Sequence, residues 1–361
     1  MSPQDISSRK SDHLRLCAEE EVEARHKTNL LDDIQLFHDS LPGLAVDEVD
    51  LSTHFLGKPL RAPLLISGMT GGTDKAGRIN RDLAAVAQEF GLAMGVGSQR
   101  AMLDHPELAD SFQLRDVAPD IPILANIGGV QVAQLQPDQL LPLIEAIDAD
   151  ALAIHLNPGQ ELIQPEGDRD FRGILRGIKA CVDNLPVPVV VKETGCGLSP
   201  STLDRLVHIG VSWVDTAGAG GTTWIGVESK RADDQAADMG ELFWDWGTPT
   251  AASIGYARRR GLKIIGSGGL RNGLHAATAL ALGAHLAGMA LPWLRAAHDE
   301  GRDGARRFAH HAIDTLRTTL VLTGSSNLEE LRHAGRLIGP RLQRWLDADP
   351  LARSNQSNSR R

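Results

Sequence analysis

Cysteine is scarce in this chain: Cys17, Cys181 and Cys196 are the only three. Their number is odd, their spacing is wide and no C-x-x-C occurs. Neither a disulfide framework nor a thiolate zinc site fits that pattern, which points to a reducing, cytoplasmic setting. Positive charge is not in excess either. The net charge is −9, acids and bases are interspersed, and no basic stripe interleaves with aromatics, so nucleic acid is not an expected partner. Any site for an anionic ligand has to be local. The opening residues, MSPQDISSRKSDHLRLC, lack the apolar core of a secretory signal, and no apolar run is long enough to cross a bilayer, so no membrane association is expected. Also missing are a Walker A run, a G-x-G-x-x-G in a convincing Rossmann context, and any internal repeat beyond a strand–helix alternation.

What is present is enough apolar residue, 42% of 361, to bury a sizeable core in one large α/β barrel or two smaller domains. Short apolar runs at 62–68, 92–97, 121–127, 151–157, 187–193, 211–217, 262–267 and 286–291 each end in glycine or polar residues. Each is nearly continuous in apolar residues, as strands buried on both faces require. Amphipathic helices are predicted between them at 78–90, 138–147, 171–184, 201–209, 250–260 and 273–282, with Ser199-Pro200 and Pro137-Asp138 as start signals. Units repeating at roughly 25–35 residues suggest a (β/α)8 TIM barrel. The interval 218–261 is longer and predicts a long loop or small insertion. The expected division is an N-terminal arm and extension over 1–60, a barrel with closing helices near 302–322 and 328–334 over 61–340, and a polar tail over 341–361, disordered from 354. A doubly wound open sheet competes, but it would usually carry fewer strands and a clearer switch point.

In a TIM barrel the chemistry lies where strands end and loops begin. The polar residues of this chain gather there: SGMTGGT after the first run, GSQR after the second, Asn126 at the third, HLNPGQE after the fourth, Lys192-Glu193 at the fifth, AGAGGTTW after the sixth, GSGGLR after the seventh and GMALP after the eighth. The last two form the expected phosphate cradle, since glycine lets backbone N–H groups approach an anion; alternatively these glycines only make tight turns. Lys192 ends an apolar run, where burying it is costly without a partner; it could pair with Glu193 or reach solvent. His155 and Asn157 share one face of a strand. Gln160 and Glu161 are consecutive and have separate tasks. A glutamine orients or relays hydrogen bonds. A glutamate beside phosphates suits Mg²⁺, though a solvated loop acid is the plainer alternative. Arg9 and Lys10, with His13, stand outside the barrel. They are ordinary solvated cations unless their segment folds over the mouth, where arginine and lysine would clamp a diphosphate.

These segments, in this order, closely resemble the type 2 isopentenyl-diphosphate isomerases over residues 9–335. The most specific stretches are RKSDH (9–13), SLPGLAVDEVDLST (40–53), SGMTGG (67–72), VGSQR (96–100), IHLNPGQELIQPEGDRDF (154–171), VKETGCG (191–197), AGAGGTTW (217–224) and SGGLR (267–271). The resemblance implies FMN on the carboxyl-terminal face of the barrel at Gly68, Met69, Thr70, Ser98, Asn126, Lys192, Thr222, Gly269, Leu270, Arg271, Ala290 and Leu291. It implies substrate contacts from Arg9, Lys10, Ser98, Arg100, His155, Asn157 and Gln160, the last three taking the catalytic work, and Mg²⁺ at Glu161 bridging to the diphosphate. It further implies isopentenyl and dimethylallyl diphosphates as the substrate pair, NAD(P)H as the reductant and a homotetramer or homo-octamer. Trp293 and Thr223 stand where phenylalanine and serine are commoner, and no role is carried onto 227–243.

The implied reaction is an allylic proton shift in isoprenoid biosynthesis. Lysine near the flavin N1–C2=O edge would face the negative charge of the reduced ring. Two other readings remain. An FMN-dependent 2-hydroxy-acid oxidase shares the fifth-strand lysine and late glycine loop but needs a histidine base after the sixth strand, where this chain reads AGAGGTTW. A non-catalytic flavin-binding protein would not need HLN with QE.

Overall fold

The computed structural model describes residues 3–352. A short strand β1 (Ile34–Leu36) and a hairpin of β2 (Thr53–Phe55) and β3 (Lys58–Leu60) precede eight parallel strands. These are β4 (Leu64–Ile66), β5 (Ala93–Gly95), β6 (Ile123–Gly128), β7 (Ala151–Leu156), β8 (Val189–Glu193), β9 (Trp213–Asp215), β10 (Lys263–Ser267) and β11 (Leu286–Met289). They pair in chain order, and β11 closes on β4 through Ala287↔Leu64, Gly288↔Leu65 and Met289↔Ile66. Closure removes the free edge and with it the open-sheet alternative. Each of the eight apolar runs holds one barrel strand, β6 ending one residue past its run. They were legible because both faces of every strand are covered, one by helices and one by the barrel interior.

Successive residues of a strand point to opposite faces, so alternate positions fill the barrel. Leu65, Ala93, Leu124, Ala151, Ala153, Val190, Trp213, Ile265 and Leu286 form one inner cluster together with Phe55 and Leu60. The hairpin that supplies the last two turns at Leu56 and Gly57, whose φ angles of 52° and 81° suit a tight primed turn. Phe55 meets the Trp213 ring edge-on, with centroids 4.9 Å apart. The hairpin therefore plugs the amino-terminal end of the barrel with hydrocarbon. One inward step beyond that cluster, the eight strands carry Ser67, Gly95, Asn126, His155, Lys192, Asp215, Ser267 and Gly288. Every one is polar or glycine, so the barrel is apolar at one end and functional at the other.

The predicted helices are present, with Gly273–Leu282 at its predicted bounds and Pro200–His208 capped by Ser199, whose Oγ accepts from the Thr202 amide at 3.3 Å. The stretch predicted at 138–147 begins as a 3-10 turn, Pro137–Leu140, and continues as Leu141–Glu145. The long interval before β10 holds two extra helices, Trp224–Ser229 and Asp234–Leu242. The closing helix runs Leu291–Leu322 but breaks at Glu300 and Gly301, the latter at φ 59°, so its second half starts where the sequence predicted a start. Residues Pro3–Glu19 form a helix that lies on the mouth of its own barrel. Leu14, Leu16 and Cys17 are buried there, and Arg295 holds the end of the helix through the Cys17 and Glu20 carbonyls at 3.3 and 3.0 Å.

The carboxyl-terminal end differs from expectation. Residues from 341 were expected as a polar tail, yet β12 (Arg336–Ile338) pairs antiparallel with β1 and is followed by a helix, Pro340–Ala348. Leu342 and Leu346, four apart, form a narrow buried stripe. Leu346 sits so close to Gly255 that a Cβ there would meet it at 2.4 Å. Asp349 is fully buried against the Arg260 guanidinium at 3.0 Å. The disordered tail expected from 354 lies outside the described residues.

Because Phe55 is 1% exposed and anchors the plug, Phe55→Ala should lower the unfolding free energy by about 3–5 kcal/mol in a urea titration. The cavity at the other end of the barrel should keep its ligand affinity, measured on the folded fraction.

Candidate active site

The polar ring at the carboxyl-terminal end of the barrel opens into a cavity of about 310 Å³. All the residues singled out from the sequence line it: Gly68, Met69, Thr70, Ser98, Arg100, Asn126, His155, Asn157, Gln160, Glu161, Lys192, Thr222, Gly269, Leu270, Arg271, Ala290 and Leu291 from the barrel and its loops, with Arg9 and Lys10 from the amino-terminal helix. The closure of the barrel brings together strand ends separated by more than two hundred residues of chain, and the helix across the mouth adds the cations from outside.

The floor is a set of locked polar groups. His155 Nδ1 lies 2.9 Å from Asn126 Oδ1. The Asn126 amide nitrogen already donates to the Val96 carbonyl at 2.9 Å, so its oxygen is the acceptor and His155 carries its proton on Nδ1. Burial, then the charges of Lys192 and Arg100, hold the His155 pKa down to about 3. The ring is therefore neutral, and Nε2 keeps its lone pair. Lys192 is next to His155 in the strand register on one side and to Asp215 on the other. Its Nζ donates to the Glu193 carbonyl at 2.7 Å. Burial lowers its pKa, and the charges of Asp215 and Glu193 oppose that. Asp215 is raised by burial and steadied by Lys192 and by a hydrogen bond from Ser267 Oγ. The Glu193 carboxylate does not take the Lys192 ammonium. Its Oε2 accepts the backbone amides of Thr194, Gly195 and Gly197 at 2.6, 2.7 and 3.2 Å, with that of Cys196, and so shapes the loop after β8.

The wall beside the floor is a relay of amides and acids. Asn157 Nδ2 donates to Gln160 Oε1 at 3.2 Å and to Glu161 Oε1 at 2.9 Å. Gln160 Nε2 donates to Glu228 Oε1 at 2.9 Å, and His13 Nε2 reaches the same oxygen at 2.8 Å. Glu228 is fully buried in the helix Trp224–Ser229. Burial pushes its pKa up, but the His13 hydrogen bond and charge, the Gln160 amide and the Arg231 charge outweigh it, leaving the carboxyl below its ordinary value. Sequence reading missed Glu228 because it lies where no role could be carried over. It missed Asp215 inside an apolar run, where an acid one residue from the strand's polar end was the available signal.

The rim is cationic. Lys10 Nζ lies 3.4 Å from the Ser98 carbonyl and 5.1 Å from the Phe112 ring centre. Burial and neighbouring Arg9 bring its pKa down to about 8. Arg100 pairs with Asp168 at 3.4 Å, and Arg9 with Glu166 at 3.6 Å. On the far side, the glycine loop after β10 needs glycine for its backbone: Gly268 and Gly269 have φ of 107° and 74°, and they pack on Gly218 and Gly220 without room for a Cβ. Tight turning thus accounts for part of the glycine pattern. Arg271 in that loop is held by Glu23, which also bridges in backbone to Thr222.

Two groups can be tested for fit. Ser67 Oγ is buried in the cavity wall without a hydrogen-bond partner among the described residues, and Leu291, the first residue of the helix Leu291–Leu322, lines the same cavity; a polar-edged, phosphorylated ring system such as FMN matches this lining. For a metal, Glu161 is a single buried carboxylate whose oxygens accept from Asn157 and from the Asp168 amide at 2.8 Å. No cluster of three or more His, Cys, Asp or Glu that could hold a metal stands among the described residues. A full protein cage is absent, so Mg²⁺ fits only in the mode that combines one carboxylate with phosphate oxygens and water.

The family model for FMN-dependent dehydrogenases matches residues 3–107 and 166–337. An isopentenyl-diphosphate delta-isomerase of Nostoc sp. is 46% identical over 334 residues, covering 91% of this chain and 95% of that one. One from Thermococcus onnurineus is 44% identical over 349 residues, covering 94% and 93%. Among solved structures, mandelate oxidase with (S)-2-phenylpropionate superposes with a TM-score of 0.63 at 15% identity, covering 94% of this chain and 98% of that one, a likeness of fold alone.

The neutral state of His155 has a consequence that can be measured. The folded ring resists protonation down to about pH 3 while the unfolded ring titrates near 6.5, so the unfolded state binds the extra proton between those values. The contribution of this residue to stability should rise as pH climbs through that window. Urea unfolding at a series of pH values should show the dependence, and His155→Gln should remove it. Ring nitrogen NMR shifts should report a neutral imidazole at pH 5.

Proposed function

The chain belongs to the isopentenyl-diphosphate delta-isomerases, built on the FMN-dependent dehydrogenase barrel, and from that membership we propose that it interconverts isopentenyl and dimethylallyl diphosphates as an FMN-dependent isomerase of isoprenoid biosynthesis. The observation that carries the reading is one cavity with a cationic rim, Arg9, Lys10 and Arg100, above a polar floor and wall with Lys192, His155 and Gln160. A diphosphate suits that rim, and the polar edge of a flavin suits that floor. The absence of histidine from 217–224 disfavours 2-hydroxy-acid oxidation in spite of the shared fold. The linked His13, Glu228, Gln160 and Asn157 disfavour a merely flavin-holding protein.

The reaction adds a proton at the terminal alkene carbon and removes one from C2, with no net change in oxidation state. Reduced FMN, when bound, supplies a proton donor and an electron-rich ring against the electron-poor tertiary centre. Gly68, Met69, Thr70, Ser98, Asn126 and Thr222 would hold it, with Gly269, Leu270, Arg271, Ala290 and Leu291 around its phosphate and Lys192 facing its polar edge. Arg9, Lys10, Ser98 and Arg100 bind the diphosphate, and Glu161 would hold Mg²⁺, which would supply further positive charge for the phosphate oxygens. Because the diphosphate is remote from the reacting carbons, its binding energy serves to position them. His155, held neutral by burial and by Lys192 and Arg100, is no acid at neutral pH; it holds Asn126 and presents Nε2 as an acceptor. Asn157 fixes the Gln160 amide. Gln160 is no lasting base at neutral pH, so it acts as a relay: its amide oxygen takes the C2 proton as its Nε2–H gives one up to Glu228 Oε1. The finer features of the proposal are NAD(P)H as the reductant, a homotetramer or homo-octamer, and a cytoplasmic location; no helix of the described residues is long and apolar enough to cross a membrane.

The protein should be yellow as purified with FMN, bleach under NADPH without oxygen, and then isomerise isopentenyl diphosphate. Oxidation of hydroxy acids in place of isomerisation would overturn the reading. Gln160→Ala should lower turnover by about 10²-fold or more, a typical general acid–base contribution, while FMN affinity changes less than about threefold. Equal loss of both would place Gln160 in the architecture and not in the chemistry.

A further inference from the structure

Arg231 lies outside the cavity lining, and nothing in the reaction as described above calls on it. Its surroundings are unusual. It sits three residues beyond Glu228, two past the end of the helix Trp224–Ser229, and its side chain is only 14% exposed. Nη1 donates to Glu228 Oε2 at 2.5 Å. Nη2 lies 3.7 Å from Glu166 Oε1, the oxygen that Arg9 approaches at 3.6 Å. Nε lies 3.8 Å from Asp12 Oδ2 of the amino-terminal helix and, though buried, has no hydrogen-bond partner among the described residues. One guanidinium thus faces carboxylates from three separate segments. Gln164 adds a second link between the same parts. With its amide turned so that both partners are satisfied, its nitrogen donates to Glu228 Oε1 at 3.1 Å and its oxygen accepts from Arg9 Nη1 at 3.1 Å.

A buried guanidinium with an unpaired donor costs stability, and the fold retains it. We infer that Arg231 is a positioning residue for proton transfer: it clamps Glu228 against Gln160 and ties that carboxylate to Arg9 and the helix that reads the diphosphate. The clamp does two things. It holds the Glu228 carboxylate in one orientation, with Oε2 on Arg231 and Oε1 left for Gln160 and His13. It also keeps the carboxylate ionised in a site with no exposure, since an opposite charge in contact favours the charged form by one to three pH units as a rule. The groups facing Glu228 are His13 from the amino-terminal helix, Gln160 and Gln164 from the loop and helix after β7, and Arg231 from its own segment; Arg9, Glu166 and Asp12 stand behind them. Among the described residues His13 and Arg231 are the titratable groups in direct contact with Glu228, so His13→Gln measures the contribution of His13 separately.

The inference rests on the isomerase reading, and its test separates the two. Arg231→Gln and Arg231→Lys are prepared as FMN-loaded holoenzymes, and kcat and KM are followed from pH 5 to 9 beside the parent protein. Glu228 must be ionised to receive a proton, so activity falls on the acid side as it protonates. Removing the neighbouring cation raises its pKa, so the acid limb of kcat should move up by about one unit or more in Arg231→Gln. At pH 7 kcat should fall about tenfold, with KM changed less than about threefold. Arg231→Lys keeps the charge and loses the fork, so its limb should stay within about half a unit of the parent while kcat falls. His13→Gln should move the acid limb up as well, since the His13 hydrogen bond and charge also hold the Glu228 carboxyl down, so the part due to Arg231 is read from Arg231→Gln against Arg231→Lys. A lowered kcat with the parent's acid limb in Arg231→Gln, or a matching rise in KM, overturns the inference and leaves Arg231 a structural residue. If Arg231→Gln loses its FMN, Arg231→Lys decides alone: unchanged kcat overturns the inference. A parent protein that is loaded, reduced and inert on isopentenyl diphosphate sinks the functional reading itself.

Discussion

Closing eight strands into a barrel forces every second residue into a shared interior, and the whole site depends on where that interior changes from hydrocarbon to polar groups. The change comes within one inward step on every strand. Val190 is followed inward by Lys192, Ala153 by His155, Trp213 by Asp215, and Leu124 by Asn126. The hairpin carrying Phe55 and Leu60 seals the hydrocarbon end, so water has access only from the mouth. A ligand in the cavity therefore rests on a polar layer whose far side is dry. In such a place charges interact more strongly than in water, and each must be matched or neutralised.

Three neighbours on the floor meet that demand in different ways. His155 gives up its charge altogether, because Lys192 and Arg100 are close and burial already disfavours a cation. Lys192 keeps company with Asp215, each drawing the other back toward its charged form against desolvation. Ser267 is the brace: its hydroxyl donates to Asp215 and accepts the Ala217 amide at 3.0 Å. The result is a floor with a near balance of charge and a fixed pattern of donors and acceptors, which is what a preorganised site for a polar ring requires.

The barrel strands were legible because two buried faces leave an unbroken apolar signature. The polar strand ends were legible because nothing but function or strain explains lysine or histidine at the close of such a run. Their convergence was legible only through topology. What escaped notice lies where those signals fail. Glu228 sits in a short helix inside the insertion before β10, and its importance comes from Gln160 and His13, residues 68 and 215 positions away. Asp215 is hidden by its apolar neighbours. The amino-terminal segment reads as a polar arm since Leu14, Leu16 and Cys17 are the buried apolar residues of its described part, and the helix of Leu342 and Leu346 shows too narrow a stripe to stand out. Partners distant in sequence leave no local mark.

A protein with a net charge of −9 that is to bind a diphosphate cannot rely on its overall field, which repels anions at long range. The rim resolves this by holding cations ready in ion pairs. Arg9 rests on Glu166 and Arg100 on Asp168, at 3.6 and 3.4 Å, with side chains partly open to solvent. Such half-exposed pairs are worth little to stability, so exchanging a carboxylate for a phosphate costs little. Lys10 differs: no carboxylate of the described residues pairs with it, and it lies over Phe112 with its pKa brought down to about 8. An anion beside it supplies the missing counter-charge and restores its affinity for the proton. The gain from phosphate binding is therefore concentrated at one short-range contact on the amino-terminal helix. The same helix carries His13 to Glu228, so the energy of anion binding is delivered to the element that also touches this buried acid.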